Sequence, residues 1–461
     1  MQRRNLLKSI AAAGLGGLVT PREQQAQTAV EKAVRGLPAP KIKDVQVIET
    51  APAGVRLTVV KILTDQDGLY GYGCATFTQR ADLVKPAVER YLKPLLLNHP
   101  VDRIEDTWQM CYDSSYWKNG PVLNNAISGV DQALWDIKGK MAKMPVYDLV
   151  GGKCREAADV YRHASGADFQ QCIDMAKQFQ SQGIRHIRVQ VGTPGYEGYG
   201  AGGGRGGPQV KGLRDTGSVF EPQPYIRRAL KLFEECRKQM GDEIELLHDV
   251  HERVTPTQAV QFAKDCEKFK LYFLEDPLSP EDLAWFRQIR QQCATPIAMG
   301  ELFNSPHEWL PLMSERLIDY IRIHVSQAGG FTPCRKVAIL GELFGVKTAW
   351  HGPGDVSPIG HMANVTLDVV SYNFGVQEYS EFNANTREVF HGVPVLEDGY
   401  VWPSTKPGWG IEIDEKAAAK FPFQGTPGTG AAPSSQTGNP RNGLNGGWGE
   451  VRKRDGQIIK Q

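Results

Sequence analysis

Asp249, Glu275 and Glu301 stand 26 residues apart, each directly after a short apolar run, in LLHDVHE, LYFLEDP and PIAMGELF. One strand, one helix and two short loops occupy that length, which is the crossover that parallel strands require. Three carboxylates spaced in this way end three successive parallel strands. They converge at one mouth of a β/α barrel, the end where catalytic groups of that architecture collect. Hard oxygen ligands with no cysteine among them suit Mg²⁺. An acidic residue that caps the next helix would account for any one of the three. It does not account for three in register. His251 follows Asp249 by two residues, so strand alternation aims it at the same mouth, where an imidazole serves as an acid or base.

The elements that must position these groups are legible around them. Thr255–Phe269 and Pro280–Cys293 read as the intervening helices, the first with Ala259, Phe262, Ala263 and Cys266 at helical spacing. Eight apolar runs are expected as barrel strands: DVYRHAS, HIRVQVG, IELLHDV, LYFLEDP, PIAMGEL, DYIRIHV, VKTAWHG and FGVQEYS. Upstream, VQVIET and VRLTVVKILTD lead through an Asp67-Gly68 turn to LYGYGCAT, a hairpin pattern. A helical stretch follows, with Ala126, Val130, Ala133, Leu134 and Ile137 on one stripe, and Gly151-Gly152 ends it. The fold class is therefore α/β, a modified (β/α)8-type barrel with an α+β capping domain. Residues 41–155 form the cap, 156–390 the barrel, 391–424 the part that completes the cap, and 425–461 a flexible tail rich in Gly, Pro, Ser and Asn. The glycine-crowded stretch 193–222 interrupts the barrel. Its Gly198–Gly203 run fits GxGxxG, but Pro208 and the lack of a following helix pattern turn the reading from dinucleotide binding to a mobile loop over the mouth.

Composition narrows the partners. With 53 basic and 52 acidic residues, the net charge of +1 makes no electrostatic case for nucleic acid or an anionic membrane. Eight cysteines without a CxxC pair read as buried small hydrophobes. Arg3-Arg4 precedes the short apolar run Ile10–Val19, so residues 1–29 resemble a twin-arginine export signal, which implies a periplasmic or exported protein with no membrane attachment after export.

Taken together, WDIKGKMAKMPVYDLVGG, HIRVQVGTPG, LLHDVHERVTP, FLEDP, GELFNS, DYIRIHVSQAGG, HGPGDVSP and FGVQEY resemble the enolase superfamily, and within it the mannonate dehydratase-like acid-sugar dehydratases. The resemblance covers residues 41–424. It implies an enolase-like fold and a Mg²⁺-dependent hydro-lyase in which Asp249, Glu275 and Glu301 bind the metal. It further implies a small sugar acid as substrate, D-mannonate or a related aldonate, with another aldonate, an epimerisation or a silent sugar-acid binder as alternatives. A homo-oligomer is the expected assembly.

The second barrel strand carries Arg188-Val-Gln190 in place of the Lys-x-Lys pair that many superfamily members use as base. The resemblance instead implies Tyr199 as base beside Arg188, with Tyr196 as a rival because the loop is one residue shorter. It implies His251 as the acid that protonates the departing hydroxyl. Thr78, His163, Glu301, Arg322, His351, Asp355 and Glu378 match positions that hold substrate. Thr78 stands where the family has an asparagine. Pro353 lies at a variable small position, and Trp448 is the one tryptophan near the C-terminus that could replace the family's pocket-closing residue.

Overall fold

The computed structural model describes residues 39–192, 218–354, 356–423, 451–453, 455 and 457. The cap begins with an antiparallel meander of β1 (Ile42–Thr50), β2 (Leu57–Thr64) and β3 (Tyr70–Cys74), in that order across the sheet. The β2–β3 turn is made at the expected Asp67-Gly68, where Gly68 takes φ +77°. Helix α1 (Ile104–Tyr112) follows, then the long α2 (Pro121–Ala142), which carries the anticipated apolar stripe fully buried. The approach of α2 to β3 depends on missing side chains. A Cβ at Gly71 would lie 2.2 Å from the Ala133 carbonyl, and one at Gly73 would lie 2.0 Å from that of Gly129. The contact lets Asp136 of α2 accept hydrogen bonds from Tyr72 N at 3.0 Å and from Trp409 N at 2.9 Å.

The barrel strands are β4 (Ala158–Gly166), β5 (His186–Val191), β6 (Glu245–Asp249), β7 (Phe273–Glu275), β8 (Ile297–Met299), β9 (Tyr320–Ile321), β10 (Lys347–Thr348) and β11 (Gln377–Glu378). All pair in parallel, and the circle closes where β11 meets β4 and a parallel bridge joins Thr348 to Phe374. Between the strands run α3 (Phe169–Ser181), α4 (Pro222–Met240), α5 (Pro256–Cys266), α6 (Trp285–Gln292), α7 (Pro306–Ser314), α8 (Phe331–Phe344) and α9 (Pro358–Val370).

The barrel interior has an apolar floor of Tyr161, Leu247, Phe273, Ala298, Tyr320, Ala349 and Val376. Side chains alternate with period two along a strand. Two residues beyond these stand His163, Asp249, Glu275, Gly300, Arg322, His351 and Glu378. The polar mouth is therefore the next inward-facing layer above the floor, in register with it around the barrel.

The C-terminal stretch divides between the two parts. Strands β12 (Val395–Glu397) and β13 (Tyr400–Trp402) form a hairpin whose second strand pairs antiparallel with the start of β4. The expectation that 391–424 belongs to the cap therefore describes only its later part. There Trp409 donates from Nε1 to Gln132 O of α2 at 2.9 Å, and Thr50 of β1 donates from Oγ1 to Ala418 O at 3.0 Å. All eight cysteines are free, and all but Cys154 are buried. No helix among the described residues is long and apolar enough to cross a membrane.

Candidate active site

Each carboxylate is delivered by the end of its own strand. Asp249 and Glu275 are register partners on β6 and β7, and Glu301 follows Gly300 just beyond β8. None of them is used as a helix cap. The helical turns that follow are capped by Thr255 with Gln258, by Ser279, and by Ser305 with Glu308. The capping work falls to these residues, and the three acids face the mouth instead.

The mouth is a belt of alternating charge. Glu275 Oε1 lies 2.7 Å from Arg322 Nη2, which lies 2.8 Å from Glu378 Oε2. Glu378 Oε1 is 2.7 Å from His163 Nε2, and His163 Nδ1 accepts from Arg188 Nη2 at 3.1 Å. Arg188 Nη1 then donates to Asp249 Oδ2 at 3.1 Å. Glu301 closes the remaining side, 3.2 Å from His251 Nε2 through Oε1 and 3.2 Å from His351 Nε2 through Oε2.

These contacts set protonation. Burial opposes ionisation of Glu301, but His351 and His251 hold its carboxyl well below the usual range. Against the same burial, Arg322, His351 and His163 keep Glu378 well below it too. Glu275 goes the other way: burial pushes it well up, with Arg322 opposing and Asp249 adding to the rise. Asp276 is raised by burial and by Glu301, Glu275 and Asp249. His163 is lowered by burial and by the adjacent Arg188 guanidinium, so it is neutral, with Nδ1 as acceptor and its proton on Nε2 facing Glu378.

The donors fit a hard divalent cation. Asp249, His251 and Glu301 can bring one ligand atom each within 4.8 Å of one another, and so can Glu275, Asp276 and Glu301. Glu301 is common to both groups, whereas the three expected carboxylates do not form one group at that spacing. Glu275 Oε2 is fully buried and takes no hydrogen bond among the described residues. A dry carboxyl oxygen without a hydrogen bond, among carboxyls that burial and crowding keep from ionising, fits a site that a bound cation would complete.

Of the expected substrate contacts, His163, Glu301, Arg322, His351 and Glu378 are gathered in this belt. Thr78 sits on the cap in the short turn Thr78–Arg80, half-buried, just after β3. Asp355, Tyr196, Tyr199, Trp448 and the export-signal segment lie outside the described residues. Arg188 donates to Asp249 and His163 from its two terminal nitrogens. His251 reaches the mouth by a different route from strand alternation. β6 ends at Asp249, and a turn with φ +56° at His251 and +60° at Glu252 swings the imidazole toward Glu301. Such backbone is costly for non-glycine residues and marks a site held by its surroundings.

Two residues went unread in the sequence. Asp276 follows Glu275 and by alternation belongs on the outer face, yet φ +40° turns it inward, where it accepts from Gly300 N at 3.2 Å. His324 is buried, with its ring 5.1 Å from that of His351. The adjacent acid in FLEDP was a signal for the first. For the second the signal was its place two residues after Arg322 in DYIRIHV, the same spacing that His251 has after Asp249.

Comparison with known proteins gives a consistent picture. Residues 171–417 match the enolase C-terminal domain-like family, and residues 19–151 match the N-terminal domain family of mandelate racemase / muconate lactonizing enzyme. The chain is 49% identical over 403 residues to a D-galactonate dehydratase family member of Salmonella enteritidis, spanning 84% of this chain and 94% of the relative. It is 49% identical over 382 residues to another such member, from Enterococcus gallinarum, spanning 83% and 93%. Among solved structures, an enolase from Pantoea ananatis with bound D-gluconate and Mg aligns with a TM-score of 0.84 at 45% identity, covering 92% of this chain and 100% of that one.

Proposed function

The chain belongs to the D-galactonate dehydratase family of the enolase superfamily, and from that premise we propose that it is a Mg²⁺-dependent hydro-lyase that converts a hexonic acid, D-mannonate or a related aldonate, to the 2-keto-3-deoxy acid. The observation that carries the reading is the pairing of His251 with Glu301 beside the buried Asp249 and Glu275 carboxylates. It puts a proton donor on the same groups that hold the cation. The D-gluconate and Mg bound by the Pantoea ananatis neighbour support the substrate class and the metal.

A proton next to a carboxylate is too weakly acidic for a side chain to remove unaided at neutral pH. Asp249, Glu275 and Glu301 would hold Mg²⁺, which would supply electrostatic stabilisation of negative charge on the substrate carboxylate. Tyr199, or Tyr196 in the shorter loop, takes the C2 proton. His251 gives its Nε2 proton to the departing C3 hydroxyl, and Glu301 holds that imidazole in place. Arg322, His351, His163 and Glu378 form a fixed wall that binds the acid's hydroxyls and carboxylate, with Thr78 and Asp355 as further contacts. His163 and His351 keep some exposure while Arg322 and Glu378 are buried and paired with each other, so the acid meets the histidines first and the ion pair stands behind them. The arginine pair before the apolar N-terminal run supports export of the folded protein.

The test is a screen of purified, Mg²⁺-loaded protein against an aldonic acid library that includes D-mannonate, D-gluconate and D-galactonate, read as 2-keto acid formed. Product from D-mannonate or a close relative is expected. Thermal stabilisation by an aldonate with no product from any would replace the enzyme reading with that of a sugar-acid binder.

A further inference from the structure

A cap side chain that the proposed chemistry does not use reaches two loops of the mouth at once. Asn124 lies in the first turn of α2 and is 1% exposed. Its Nδ2 donates to Asn304 O at 2.8 Å and to Gln327 O at 2.7 Å, with a longer approach of 3.4 Å to Asn119 Oδ1. Two short bonds use both hydrogens of the amide, and only a nitrogen can make them, so the amide orientation follows from its partners. Each carbonyl belongs to a different mouth loop. Asn304 lies three residues beyond Glu301, and Gln327 three residues beyond His324 and five beyond Arg322.

The geometry points to Asn124 as a positioning residue that fixes the separation of Glu301 from the Arg322–His324 segment and so sets the metal affinity of the mouth. Glu301 is the member shared by both ligand groups, and Arg322 is paired with Glu275 in one of them. A strut that ties the two loops to one rigid helix therefore acts on both groups together. Neighbouring cap contacts reinforce the second loop. Trp108 of α1 donates from Nε1 to Gly329 O at 2.8 Å, and Asp131 of α2 accepts from Thr332 N at 3.0 Å at the start of α8. Asn124 is the one of these three that also holds the Glu301 loop. Groups that orient ligands without touching the metal commonly alter affinity by about 10- to 100-fold when replaced.

This inference rests on the mouth being a metal site, and calorimetric titration of the full-length protein with Mg²⁺ or Mn²⁺ tests both. Asn124→Leu removes both donors at similar size, and its affinity should fall about tenfold or more. Asn124→Asp, which keeps the shape and substitutes acceptors for donors, carries the same expectation if the leucine variant does not fold. Asp136→Asn loosens contacts within the cap, and it should lower the melting temperature with wild-type metal affinity. A folded Asn124 variant that binds metal as the wild type does would overturn the positioning role alone. A wild type that binds neither ion would overturn the metal reading and this role with it.

Discussion

Glu275 and Arg322 form an ion pair at 2.7 Å in which neither side chain has any exposure to solvent. The two ends of the pair are not equivalent. Arg322 is also bound by Glu378 and stays cationic, its affinity for its proton raised by Glu275, Tyr161 and Glu378 against burial. Glu275 is crowded by Asp249 and pushed upward by burial.

Substitutions at the two ends should therefore separate function from stability. Glu275→Gln keeps size, removes one of several crowded acids, and should abolish nearly all turnover while leaving the melting transition within a few degrees. Arg322→Met leaves Glu275 and Glu378 uncompensated in a dry site, a loss of about 3–5 kcal/mol. Denaturant melts and 2-keto acid assays on both variants check this. Wild-type turnover by Glu275→Gln without extra Mg²⁺ demand would remove Glu275 from the ligand set.

Base and acid should separate in D₂O. Tyr199→Phe should show neither dehydration nor exchange at C2, because the group that takes the proton is gone. His251→Asn should lose dehydration while C2 exchange continues, since the base and the ligand carboxylates remain. Proton NMR of recovered substrate reads the exchange. Normal exchange in Tyr199→Phe together with none in His251→Asn would reverse the roles, and loss confined to Tyr196→Phe would move the base to that tyrosine.

Acid should destabilise the fold through buried neutral histidines. Burial lowers His248 and His361 from 6.5 to about 4 each. His248 donates from Nδ1 to Val189 O at 2.8 Å and accepts at Nε2 from Tyr225 at 2.7 Å, which only the neutral ring can do. Between the two values the unfolded chain binds a proton that the folded chain does not. Stability is thus present above pH 6.5 and falls as pH drops toward 4, by up to about 1.4 kcal/mol per pH unit for each histidine. Denaturant midpoints between pH 7.5 and 4.5 should fall, and His361→Gln should flatten the slope by about one proton. A flat wild-type profile would rule the mechanism out.

Export should depend on Arg3 and Arg4. Changing both to lysine should leave the precursor inside the cell when fractions are probed by immunoblot. Unchanged recovery from the periplasmic fraction would refute the signal.

The 26-residue spacing of Asp249, Glu275 and Glu301 was enough to place three acids at strand ends, because strand, crossover helix and loops have nearly constant lengths. Period-two alternation, which is local, accounts for the polar layer standing two residues above the apolar floor. What alternation could not reach is where the backbone leaves it. Glu301 stands three residues beyond the floor residue Ala298, out of phase, and faces the mouth after Gly300, which at φ +140° adopts a conformation open to glycine. Asp276 turns inward at a positive φ that no periodicity announces, and His251, expected at the mouth by alternation, gets there through a positive φ instead. The partners were beyond sequence as well. His163 meets Glu378 only because the last barrel strand closes against the first, and Asn124 meets Asn304 and Gln327 only because the cap docks over those loops. Local geometry selected the chemical groups. Closure of the barrel and docking of the cap decided which charge faces which, because those contacts join residues about 180 to 215 positions apart that no local rule relates.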